Sequence, residues 1–512
     1  MPRLIEDISN IFSEKFFDRY ESERPIMSIL FLLMPLLLGF LLVCCLLPRR
    51  RHESGCFALK FFLGIGLGFG ITSIVSYILL LLGIFARGPQ LIVEVGLTFM
   101  FAALAWPQVY AADKQWTDIG ARLHTASIKR VRLSLLALFG LAVVVSVGVF
   151  VVLSNQQPHG EGDAWSIWNL RARFFFRGAG HWTDAFSNAL SWSHPDYPLL
   201  LPINVARGWQ LVGSDTVNIP ILLAAAFVIA TLGLLMTALI LTRNASQGIL
   251  AGTVLLATPL FVARGASQLA DVPLTFYFLA SLIVVNLQER FQAARIALLF
   301  GLLVGLSAWV KNEGGLFAIA AATLATFILA KGMSRSRLKL MGCFLLGLLP
   351  SVLVLLHFKT NFSPPNDLFE HQSFEGVFLN LMNLNRHGLA LKTFIGGVVQ
   401  FGAWPAHLPL SLLFYAYLVG VRRQMLCRSV IVAFVLLGVM LSGYYAIYVS
   451  TSKNIELHIG TSLQRLLLQL WPSLLFLFFT LVHTPEEIDR VRENRRISPE
   501  GVKDRREVGD CV

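Results

Sequence analysis

In the segment HGEGDAWSIWNLRARFFFRG, His159 to Gly178, two carboxylates are separated by a single glycine: Glu161 and Asp163. A carboxylate so placed can act as general base toward an acceptor hydroxyl or amine, or bind a cation. The plainer role for Asp163 is a cap on the helix that follows. Four other stretches hold residues of the same kind. Asp271 stands in SQLADVPLTF, where a cap with Pro273 in the first helical turn is the alternative. Lys311, Asn312 and Glu313 stand in WVKNEGG. Lys311 suits a phosphate, and its plainer role is a lysine snorkelling at a helix end. His194 and Asp196 belong to HPDYP, whose prolines mark a turn. Arg465 falls in GTSLQRLLLQLWP, where an interfacial anchor is the simple reading.

The elements that must position these residues are apolar. The 512-residue chain is 55% hydrophobic and 14% charged. A soluble domain carries roughly a quarter of its residues as charges. Several apolar runs approach or exceed the ~20 residues that cross a hydrocarbon core as a helix. An all-α, polytopic transmembrane fold is therefore expected, because lipid leaves backbone polar groups no partner but one another. The run Ile26 to Leu47 is too long for a signal-peptide core and reads as a retained helix. Thirteen spans are expected, near 26–47, 57–85, 90–110, 131–153, 218–241, 247–263, 272–288, 294–310, 314–330, 338–357, 404–421, 428–449 and 464–482.

Basic clusters set the sides. They are Arg49 to Arg51, Lys129 to Arg132, Lys331 to Lys339, Arg422 to Arg428, and the tail from Arg490 to Arg506. With these cytoplasmic, parity places 154–217, the turns near 264–271 and 311–313, and the loops 358–403 and 450–463 outside. The net charge of +12 then belongs to cytoplasmic loops, and nucleic acid is not an expected partner. All six cysteines fall in helices or on the cytoplasmic side, so no external disulfide framework is implied. After the span 131–153, residues 165–177 read as an amphipathic helix lying in the interface, with Ser166, Asn169, Arg173 and Arg177 on one face. Trp165, Trp168, Ala172 and Phe176 fall on another face. HPDYPLLLPINVARGWQLVG reads as a second juxtamembrane helix rather than a span. Phosphate-loop, GxSxG and HExxH motifs are not found, and the sequons at Asn244 and Asn361 are weak. An enzyme working outside without a nucleotide needs an activated substrate already there, which a lipid-linked donor provides.

In order and spacing, EGD, HPDYPLLLP, LADVPLTF and VKNEG resemble the C-type membrane glycosyltransferases (GT-C superfamily) over roughly Val131 to Lys331. The likeness is to bacterial protein-mannosyltransferase and lipid A aminoarabinose-transferase relatives. It implies a GT-C-like catalytic core over 131–482, with extra helices in 1–130 before it and a charged cytoplasmic tail over 483–512. It implies Asp163 as catalytic carboxylate and Asp271 as second acid of the site. Lys311 and Arg465 would meet the lipid phosphate, with Glu161, Glu313, His194 and Asp196 as further substrate-binding residues. The implied donor is a polyprenyl-phosphate sugar, transferred with inversion to a lipid, glycan or protein acceptor. The implied location is a bacterial inner membrane, with the site facing the periplasm. No cofactor is required by this chemistry, although the acidic pair keeps a divalent metal possible. The alternative class is a transporter or lipid flippase, for which Glu94, inside an apolar helix, is the best single residue.

Overall fold

The computed structural model describes residues 25–47, 56–110, 130–330, 334–365, 373–404, 407–451, 454–484 and 487. Within them the chain is helical, with one isolated antiparallel bridge, Val421 to Val482. In order the helices are α1 Pro25–Leu46, α2 Cys56–Leu81, α3 Arg87–Tyr110 and α4 Arg130–Gln156. Then come α5 Asn169–Arg177, α6 Leu200–Val212, α7 Asn218–Thr242, α8 Ala245–Leu256 and α9 Pro259–Ala266. The remainder are α10 Asp271–Phe291, α11 Ala294–Val310, α12 Asn312–Ala330, α13 Arg335–Asn361, α14 Phe374–Met382, α15 Leu384–Val399, α16 Leu408–Val419, α17 Arg428–Ser450 and α18 Ile455–Leu481.

Nine of the described helices are long and apolar enough to cross a membrane. The expectation of thirteen counted four segments that the fold treats otherwise. The segment 247–263 is the pair α8 and α9, bent by 64°. Pro259 lies in the first turn of α9, where proline is tolerated, and Thr258 before it is extended. The apolar lengths of α11 and α12 stop at 17 residues each, and α16 has only 12. The supposed outer loops are also more ordered than expected. Helices α14 and α15 occupy much of 358–403, and α18 begins at Ile455, well before 464.

Side-chain contacts bring Asp271 at the start of α10, Lys311 just before α12 and Arg465 in the first half of α18 to one end of the bundle. Contacts at the other end agree. Arg243, after α7, donates to the carbonyls of Thr480 and Val482 at the end of α18. Glu289, late in α10, accepts from the backbone N–H groups of Arg428 and Ser429 at the start of α17. Arg49 to Arg51, Lys129, Lys331 and the tail segment 490–506, together with Cys511, lie outside the described residues. Cys44, Cys45, Cys343 and Cys427 are free thiols. Asn244 of the first sequon is occupied as the N-cap of α8, accepting from Gln247 N–H at 3.0 Å.

Two prolines inside helices explain contacts that hold the bundle together. A proline at position i leaves the carbonyl at i−4 without its helical donor. Pro472 in α18 thereby frees Leu468, and Thr275 Oγ1 of α10 donates to that carbonyl at 3.1 Å. Pro35 in α1 frees Phe31, and Arg207 of α6 donates to that carbonyl at 3.2 Å. Helices α1 and α2 pack against the rest rather than standing apart: α2 lies on α7 and α6, and α1 touches α6 and α11.

The stretch 165–177 does not lie on the surface. A π turn, Ala164–Trp168, leads into α5, in which Asn169 through Phe175 are buried. The reason is Arg171, fully buried and donating to the carbonyls of Tyr197 (2.8 Å), His194 (2.8 Å) and Ser193 (3.2 Å). Those three carbonyls hold a guanidinium buried inside the stretch that reads as an interfacial helix. Burial lowers its pKa to about 10. Trp165 alone of the expected tryptophan face stays exposed. Helix α6 is short and almost wholly buried, in keeping with a juxtamembrane helix that does not span.

Candidate functional site

Asp271 is the centre of a charged cluster at the end of the bundle where α10 begins. It is fully buried and is the first residue of α10. Its carboxylate accepts from Lys311 Nζ (3.2 Å), Gln469 Nε2 (2.7 Å) and Arg465 Nε (2.9 Å). The capping role fails for Asp271, because Ala270 occupies the N-cap and the carboxylate serves side chains from other helices. Arg465 reaches onward with its second edge to Asp163 at 2.5 Å. One guanidinium therefore bridges two carboxylates that are 108 residues apart, by subtraction of 163 from 271.

Each side chain is placed by a local device. Arg465 and Gln469 are four apart on α18 and so share a face. They lie three turns into that helix, so Arg465 is no anchor at its end. Lys311 is the joint between α11 and α12, with extended backbone that breaks the two helices apart. The elbow closes tightly, since a Cβ on Gly314 would fall 1.8 Å from the Ser307 carbonyl oxygen. Lys311 is buried, paired with Asp271 and with Glu313 at 2.8 Å, and does not snorkel. Burial disfavours its charge, but the two carboxylates outweigh this and hold its pKa above the usual lysine value. Asp163 enters from the turn before α5. Gly160, three residues earlier, has φ +79°, and a Cβ there would lie 2.8 Å from the Ser267 carbonyl. Only glycine brings this loop so close to the α9–α10 turn. Asp163 makes no side-chain cap bond, so the cap role fails for it also.

Access separates the members. The Asp163 side chain is 42% exposed and that of Arg465 20%, whereas Asp271 is closed off. Behind Asp271, Tyr444 donates to Gln469 Oε1 at 2.7 Å, fixing the amide that fixes the carboxylate.

The other expected residues form a border. Glu161 pairs with Arg264 of α9 rather than with Asp163's partners, and is 43% exposed. Asp196 is buried and accepts from Asn312 Nδ2 at 2.7 Å. Lys359 of α13 donates to the Asp196 carbonyl and to Asn312 Oδ1 at 3.0 Å. Asp196 thus joins the Lys311 elbow through Asn312, and its carboxylate does not enter the central cluster. His194 contributes its backbone to Arg171 and its ring to a stack on Tyr197. Gln469, Lys359 and Tyr197 were not singled out from sequence. For Gln469 a signal exists: a polar residue one helical turn after Arg465 in an apolar helix.

Among the described residues, no three His, Cys, Asp or Glu side chains stand close enough to hold a metal ion. No protein-family model matches the chain, and no curated protein or solved structure matches it significantly.

Proposed function

We propose that this chain is an integral membrane glycosyltransferase that takes a sugar from a polyprenyl-phosphate donor and passes it, with inversion, to an acceptor at the Asp163 end of the bundle. One observation carries the reading: Asp163, Asp271, Lys311 and Arg465, drawn from four distant segments, meet in a single ion-paired cluster with an accessible edge. Charges at membrane depth are costly and face a cavity or a partner when retained.

The roles follow from access. Asp271 is saturated by three donors and is a positioning residue that sets Lys311 and Arg465. Asp163, the exposed carboxylate, is the general base. The acceptor hydroxyl or amine attacks the anomeric carbon, and its proton passes to Asp163. The bond from that carbon to the phosphate oxygen breaks, and polyprenyl phosphate leaves with the bonding pair. Lys311 and Arg465 stabilise the charge on the leaving oxygens. Arg465 is held by Asp163, so an arriving phosphate competes for that edge and frees the base.

The transporter alternative loses its best residue. Glu94 is fully buried and clasped by Arg207 through two contacts of 2.5 and 2.6 Å, with Gln90 adding a third at 2.8 Å. The test is purified protein in lipid nanodiscs with a panel of labelled polyprenyl-phosphate sugars and mixed acceptors. Release of polyprenyl phosphate with label on the acceptor is expected. No release from any donor, with lipid translocation in proteoliposomes instead, overturns the reading.

A further inference from the structure

Tyr197 sits at the end of the HPDYP turn, and its position is tightly set. Its ring lies nearly parallel to Trp168, 5.6 Å away at 15°, and to His194, 5.2 Å away at 12°. Arg171 stands over the other ring of the stack, 5.3 Å from Trp168. The backbone is fixed as well. Tyr197 N–H donates to the His194 carbonyl at 3.1 Å, and its own carbonyl accepts from Arg171. His194 is left-handed, with φ +48°, directly before Pro195. Such strain in a non-glycine residue persists only where the surroundings over-determine it, and it clusters at functional sites.

All of this holds a side chain whose polar end is uncommitted. The Tyr197 hydroxyl has no hydrogen-bond partner among the described residues, and the residue is only half-buried. The ring stands beside the cluster, with Lys311 Nζ 5.8 Å from its centre. Burial raises its pKa, so the hydroxyl keeps its proton and remains a donor.

We propose that the Tyr197 hydroxyl is a ligand of the donor's phosphate, set beside Lys311 by the strained turn and the ring stack. The assignment rests on the glycosyltransferase reading and adds a neutral donor to its two cations. Lys311 supplies a point charge and Arg465 a planar fork, and neither lone charge fixes the third phosphate oxygen. A rigid O–H does so without adding charge to a cluster that must release the product.

The experiment uses the full-length protein in nanodiscs and a polyprenyl monophosphate without sugar as probe, read by the thermal-unfolding midpoint across a titration. Wild type is expected to be stabilised. Tyr197→Phe keeps the ring stack, so its midpoint without probe should match wild type while its dissociation constant rises roughly tenfold, the loss of one hydrogen bond to a charged group. Tyr197→Leu removes the stack and should lower the midpoint as well. Wild-type affinity in Tyr197→Phe overturns the assignment while leaving the glycosyltransferase reading intact. No stabilisation of wild type, with no transfer from any lipid-linked sugar, overturns both.

Discussion

Two ion-paired clusters lie within this bundle, and they differ in one respect that decides their roles. The first is Glu94 of α3 with Arg207 of α6. Both side chains are fully buried, and the charges match one to one. Arg207 also donates through Nη1 to the Phe31 carbonyl freed by Pro35, and Glu94 takes a further bond from Gln90. Both charged side chains are shut off from solvent, although Gln90 Oε1 beside them has no partner. The second cluster is closed only at its back. Asp271 is sealed, but Arg465 and Asp163 reach open space, and three carboxylates (Asp163, Asp271, Glu313) face two cations (Lys311, Arg465). Glu313 Oε2 has no partner. A saturated pair fixes geometry; an unbalanced, accessible one can exchange partners. Burial of charge alone is therefore no sign of chemistry in this molecule, and the open edge is the better mark.

Five substitutions sharpen or break that contrast. The largest effect is expected for Asp163→Asn, which keeps shape and removes the base. Transfer should fall ~100 to 10,000-fold, with insertion kept and the thermal midpoint little changed, because the carboxylate caps nothing and its part-exposed pair with Arg465 is worth at most about 1 kcal/mol. Near-normal turnover of labelled donor would reduce Asp163 to a surface partner of Arg465. Next comes Arg207→Met, which strands Glu94 in an apolar interior. Loss of one member of a buried pair costs about 3–5 kcal/mol. Denaturation in detergent should show this loss, while turnover per folded molecule stays near wild type. A reverse result, with stability kept and turnover lost, would erase the distinction between the clusters.

Arg465→Lys follows. A single ammonium cannot serve Asp163 and Asp271 along two edges as the guanidinium does. A loss of about 100-fold in transfer is expected. Lys311→Ala combined with it should not add simply, because both hold one carboxylate and one phosphate. Fully additive, small losses measured in the double mutant would mean two independent side chains. The smallest effect belongs to Thr275→Val, which deletes the donor to the Leu468 carbonyl. About 1–3 kcal/mol of stability is expected to go, the cost of a buried carbonyl left unpaired, with little change in turnover. A large loss of transfer would show that the Pro472 break helps set Gln469 and Arg465.

Helical class was readable from the chain, because a 20-residue apolar run has only one way to satisfy its backbone in lipid. The chemistry-bearing stretches were readable for a related reason: a charge beside an apolar run is expensive, and so conspicuous. Asp163, Asp271, Lys311 and Arg465 each stood out that way. What the one-dimensional pattern could not decide was between the bland and the chemical role of each, since a cap, an anchor and a ligand share the same residue types. That choice depends on which helices meet, and the meeting is made by contacts with no local signature. Thr275 answers Pro472 across 197 positions, by subtraction of 275 from 472. Gly160 and Gly314 let backbones approach where any Cβ would collide. Residues 165–177 read as an interfacial helix because their spacing is amphipathic, whereas three distant carbonyls hold Arg171 buried within that stretch. Sequence set which residues had to find partners; only the packed structure, by bringing α10, α11 and α18 to one point, chose which partners they found.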